Sequence, residues 1–192
     1  MPLASTVSKL ATLRLIFSVA ALSFLWIPIS IAQEVVIGED ADGRITIRAI
    51  RYEGNVTIDG NLHEDIYSSV APMSNFTQNI PDNGEAASEK TEVWVFYDDD
   101  NIYVTAKNYE SVPEEDWVAN EMRRDTFQLR TNDSFSVMLD TFLDRRNGVA
   151  FLVTPIGGFS DFAISNEGDR GRGVNFDWNI VWDSRVGRFD GG

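Results

Sequence analysis

The chain has 192 residues, with 16 Lys and Arg against 30 Asp and Glu, one His and no Cys. Disulfides, thiol nucleophiles and thiolate zinc sites are therefore excluded, and a metal site with two or more His ligands, or a His-dependent triad beyond the reach of His63, is excluded with them. A formal net charge of −14 opposes nucleic acid as a partner, because phosphate binding needs a clustered basic surface.

Lys9 and Arg14 precede an apolar run over residues 15–27, Pro28 breaks it, and Ser30-Ile31-Ala32 supplies the small residues a signal peptidase reads. Residues 1–32 are expected to be a secretory signal, which makes the protein exported: periplasmic, outer membrane-associated or extracellular. The alternative is an uncleaved anchor, since the run is about long enough for a marginal span. Removing it takes away Lys9 and Arg14 and no acid, so 160 residues remain in which 14 basic side chains face 30 acidic ones, a net charge of −16. That length suits one domain, with a core large enough to do without disulfides.

Residues 33–44 are mixed and acidic and read as a linker. The run 45–50 is β-branched and alternates apolar with polar residues, as a strand does. Residues 55–60 predict a short strand closed by Asp59-Gly60. Leu62, Ile66 and Val70 recur every four residues, which allows one short helix. Residues 79–90 are rich in Asn, Asp, Gly, Glu and Ser and form a loop. Residues 91–97 and 102–107 then predict a hairpin around Asp98-Asp99-Asp100-Asn101. Its apolar residues fall on both faces of the pleat, Val93, Val95 and Tyr97 on one and Trp94 and Phe96 on the other, so these strands belong between two layers. Residues 113–130 are charged and irregular. Strand-like runs follow at 134–139, 149–154, 159–164 and 180–186, separated by turn residues. The sum predicts an all-β domain over residues 45–192, an antiparallel, jelly-roll-like β-sandwich with one or two short helices.

Three stretches carry a family resemblance: Val56-Thr57-Ile58-Asp59-Gly60-Asn61-Leu62-His63-Glu64, the hairpin from Glu92 to Val104, and Asp133-Ser134-Phe135-Ser136-Val137-Met138-Leu139-Asp140 followed by Asp144-Arg145-Arg146-Asn147-Gly148. In this order they resemble the family 9 carbohydrate-binding module. The runs 140–148 and 178–186 are similar to a bacterial subgroup in which that module precedes a C-terminal outer-membrane β-barrel. The opening motif departs from the family's in having His63 where an acid is usual. The resemblance implies a secreted accessory module linked to carbohydrate catabolism and an oligo- or polysaccharide as the partner. It also implies structural calcium, any O-glycosyl hydrolysis carried out elsewhere in the full protein, and a further core strand beyond Gly192.

Stacking a sugar's C–H face on an indole, with nearby polar groups on the hydroxyls, points to Trp117 and Trp178. Both stand in polar stretches, whereas Trp94 and Trp182 lie in strand-like runs and read as core. Trp117 is either a platform or a hydrophobic anchor. Asp177 and Asn179 flank Trp178, and Arg145 is a candidate fork onto hydroxyls or a carboxylate, or else a turn residue with a surface ion pair. Asp140, which ends an apolar strand, and Asp144 are the candidate ligands for calcium. Two carboxylates at fixed separation would mark a glycosidase, but none of the acids is singled out as a pair. The rival reading is an interaction domain of an outer-membrane barrel protein that keeps the fold without sugar recognition.

Overall fold

The computed structural model describes residues 37–39, 41 and 45–192, so the secretory segment expected over 1–32 and most of the linker expected over 33–44 lie outside the described residues. All-β architecture holds. Strands β1 (Ile37–Glu39) and β2 (Ile45–Ile47) form an antiparallel ribbon. A three-stranded sheet follows in the order β3 (Ile50–Arg51), β4 (Thr91–Tyr97), β5 (Ile102–Asn108), and a four-stranded sheet in the order β6 (Phe135–Leu139), β7 (Gly148–Val153), β8 (Phe159–Ile164), β9 (Val174–Asn175). Among the described residues helix is confined to one turn, α1 (Ile66–Ser69), and 3-10 turns at Glu114–Asp116, Phe127–Thr131 and Asn166–Gly171.

The hairpin β4–β5 forms as its composition dictates. Asp98 turns it: one carboxylate oxygen accepts the Asp100 and Asn101 amides at 2.8 and 2.7 Å, and the other accepts the Tyr103 hydroxyl at 2.7 Å. β4 lies between β3 and β5 in its sheet. On one face Trp94 and Phe96 meet Tyr67 of α1, and the Trp94 indole donates to the Val70 carbonyl at 3.0 Å. Val93 packs with Met73, and Phe135 at the start of β6 reaches the same core cluster, linking the two larger sheets.

Three predicted strands differ from what forms. The run 45–50 splits between sheets, β2 pairing with β1 and β3 joining β4 in parallel. Residues 55–60 make no ladder, because local groups take their amides: Glu64 accepts from the Thr57 amide at 3.0 Å and the Thr57 carbonyl from the Asp59 amide at 3.0 Å. Gly60, at φ +86, ends the segment against the Val186 carbonyl, where a Cβ would sit 2.5 Å away. The run 180–186 has no strand partner among the described residues, with Val181 fully exposed. The helical stretch shortens to α1, whose last carbonyl bond is Val70 N–H to Ile66 O, two residues before Pro72.

Glu121 shows how the acidic loops are held. Its carboxylate accepts the Arg123 guanidinium at 2.7 Å and the amides of Met122 and Arg123 at 3.0 and 2.8 Å. Those contacts hold its pKa down to about 2 from 4.5. Asp59, Asp98 and Asp144 are also held low, by the amide of Asn61, the hydroxyl of Tyr103 and the side chain of Asn147 respectively. A depressed folded-state pKa contributes stability that is complete above the unfolded value and disappears as pH falls through the folded one. The denaturation midpoint is therefore expected to hold from pH 7 to about 5 and to fall between about 4.5 and 2. Glu121→Gln should flatten that fall, and a profile identical to the parent's would contradict the assignment.

Candidate functional site

On one face of the four-stranded sheet the register sets Val137, Phe151 and Asp161 side by side, with Phe159 two residues from Asp161. Asp161 is fully buried. Its Oδ1 accepts Arg124 Nη2 at 2.6 Å and the Trp182 indole N–H at 3.2 Å, and its Oδ2 accepts the Ile180 amide at 3.1 Å. The Arg124 guanidinium stays 39% exposed, reaches Asp125 at 3.1 Å and lies 5.1 Å from the Phe159 ring centre. Asp161 holds that guanidinium above its ordinary pKa, so Arg124 stays charged at any physiological pH.

This buried carboxylate fastens the 178–182 segment to the sheet. Trp182 packs edge-on to Phe151 and Phe159, at 5.0 and 5.4 Å between ring centres. Trp178 makes one looser edge contact with Phe151, at 6.3 Å. The indole nitrogens of Trp94, Trp117 and Trp182 each donate within the protein. Trp178 is half-buried and its indole N–H has no acceptor among the described residues. Beside it, Asp177 and Asn179 are exposed. The Asp177 amide donates to Asn175 and its carbonyl accepts from Asn179, while its carboxylate has no partner among the described residues. Trp178 thus carries a donor, and its chain neighbour Asp177 an acceptor, that are unpaired among the described residues.

The other sequence candidates lie in different surroundings. Trp117 donates to the Val112 carbonyl at 3.2 Å, and the Arg188 guanidinium covers its ring at 5.0 Å while pairing with Glu114 at 2.7 Å. That packing makes it an anchor for the 112–117 loop. No ring contact joins Trp117 to Trp178 among the described residues. Arg145 sits at φ +59, and its amide donates to Asp140 at 2.6 Å. Asp140 also accepts from Phe142 and Asp144, and Asp144 from Arg146 and Asn147, so both carboxylates are directed at amides of their own loop. No group of three or more His, Asp or Glu converges among the described residues, and the two acids fit a loop-capping role in this arrangement.

Arg124 and Asp161 were not among the sequence candidates. An acid at the inward phase of an otherwise apolar strand, Phe159-Ser160-Asp161-Phe162-Ala163-Ile164, was the available signal, since such a group must find a partner. Comparison of the chain with family models, curated proteins and solved structures gives no significant match.

Proposed function

We propose that the chain is a carbohydrate-binding module of an exported protein, its two larger sheets forming a jelly-roll-like sandwich that carries the Trp178 ledge. The resemblance to family 9 modules motivates this reading. The observation that supports it most is the half-buried Trp178 ring, with its unpartnered N–H beside the free Asp177 carboxylate. The sugar ring would stack its C–H face on the indole, while the indole N–H donates to a hydroxyl and Asp177 accepts from one. Asn179 supplies a further amide.

On this reading the module binds, and the resemblance implies that any O-glycosyl hydrolysis is carried out elsewhere in the full protein. Calcium, if bound, would act structurally, and a chelator added during thermal unfolding tests it. The test of function is calorimetric titration with soluble oligosaccharides. Trp178→Ala is expected to weaken binding at least about tenfold, and Trp117→Ala, which removes an anchor, to change affinity little. Equal affinities in the parent and Trp178→Ala, both folded by circular dichroism, would remove the site. Absence of heat with every sugar would leave the interaction-domain reading in its place.

A further inference from the structure

Asparagine is followed by glycine twice in the chain, at Asn83-Gly84 and Asn147-Gly148. In such a pair the glycine nitrogen can reach the carbonyl carbon of the preceding side chain, because no Cβ crowds the approach and the backbone is free to turn. The two pairs have opposite surroundings. Residues 79–88 are exposed apart from none, and the Asn83 side chain has no partner among the described residues. Gly84 stands at φ +89, with open space where a Cβ would be. One contact opposes attack: the Gly84 amide donates to the Gln78 carbonyl at 2.9 Å. A single bond of a water-exposed turn opens at little cost.

Asn147 is pinned. Its Nδ2 donates to Asp144 Oδ2 at 2.6 Å, its backbone amide to Asp144 Oδ1 at 2.8 Å, and its Oδ1 accepts from the Asn166 amide at 3.4 Å. Gly148 is buried and opens β7 opposite Ile164, with the Leu139 carbonyl 2.7 Å from where a Cβ would sit. Turning the Asn147 side chain onto the Gly148 nitrogen would break the bonds to Asp144 and Asn166 and disturb the first pair of the β7–β8 ladder.

We propose that Asn83 is a site of spontaneous deamidation in the folded protein, and that the fold protects Asn147, which has the same sequence pair. The Gly84 nitrogen gives its proton to hydroxide and bonds to Asn83 Cγ. The Cγ–Nδ2 bond breaks, and the side-chain nitrogen leaves as ammonia, taking a proton from water and so restoring the hydroxide. Water then adds across one of the two C–N bonds of the cyclic imide. Opening at Cγ gives aspartate, and opening at the main-chain carbonyl gives isoaspartate; no oxidant or reductant takes part. Either product adds a negative charge to the loop. The loop closes on itself, through the Gln78 amide to the Glu85 carbonyl and Gln78 Nε2 to the Ala86 carbonyl, both at 2.8 Å, so the change stays outside β4. This inference stands independently of sugar binding.

The experiment incubates the folded protein in mildly alkaline buffer, with a sample unfolded in urea beside it, and follows the peptides containing Asn83 and Asn147 by mass spectrometry. In the folded protein the Asn83 peptide is expected to gain about 1 Da and to divide into two chromatographic forms, at least about tenfold faster than the Asn147 peptide. In urea the two peptides should convert at similar rates, because only the fold separates them. Asp144→Ala, at an exposed loop position, removes the acceptor that pins Asn147 and should speed conversion there while leaving Asn83 unchanged. An Asn83 peptide that keeps its mass in the folded protein, or an Asn147 peptide that converts as fast, would overturn the inference.

Discussion

Phe96→Ala is expected to lower the free energy of unfolding by about 3–5 kcal/mol. Phe96 has no exposed surface and is the meeting point of the hairpin, α1 and the strand before it. Its ring stacks on Tyr103 at 5.0 Å and takes the edges of Tyr52 and Tyr67 at 5.8 and 6.0 Å. Truncation forfeits the transfer free energy of a buried ring, about 2–3 kcal/mol, and leaves a hole that three tyrosines cannot close together. The Tyr52 hydroxyl is tied to Asp65 at 2.7 Å and that of Tyr103 to Asp98 at 2.7 Å, so two of the three rings are held at their far ends. The cavity term therefore adds to the transfer term. Urea denaturation measures the sum, and a loss below about 1 kcal/mol would mean that the site collapses freely.

Asp161→Ala should cost about 3 kcal/mol. The carboxylate is buried and satisfies three donors, of which the Trp182 indole and the Ile180 amide have no other acceptor among the described residues. Orphaning each of these costs about 1–3 kcal/mol. Arg124, 39% exposed and also paired with Asp125, recovers part of its loss by hydration, which keeps the total near the lower end for a broken buried pair. The double change Arg124→Met with Asp161→Ala should destabilise by less than the two single changes added together, because the charges act as a unit. Strict additivity would refute the coupling. Because Asp161 fastens the 178–182 segment, its loss should also weaken ligand binding through Trp178 without altering any group that touches the ligand.

The elements that could be read from residue types alone are those whose partner is adjacent in the chain. The β4–β5 hairpin and the β6–β7–β8 meander are local, so β-branched runs bounded by Asp, Asn and Gly turns suffice to place them. Residues 45–50 and 180–186 have equally strand-like composition, yet the first divides between two sheets and the second has no ladder among the described residues. A strand exists only where another strand meets its amides, and no propensity records that. Trp178 with Asp177 and Asn179 is proposed as the site from an aromatic in a polar setting, a pattern that needs only neighbours in sequence. Trp117 has a similar polar context, but its face is taken by Arg188, 71 positions along the chain, a contact that no local pattern announces. The same limit hid Arg124 and Asp161, 37 residues apart. Asp140 and Asp144 look alike whether they hold a cation or cap a turn. Only the positions of the surrounding amides distinguish the two.

On the proposed reading, Trp178 with Asp177 forms a sugar ledge. It is tested most directly by calorimetric titration of the parent and Trp178→Ala proteins against a panel of soluble oligosaccharides, in calcium and then in chelator. The parent is expected to bind at least one oligosaccharide saturably, and Trp178→Ala to lose at least about tenfold in affinity. Saturable binding that is undiminished in the folded Trp178→Ala protein, or no binding at all by the folded parent, would contradict it.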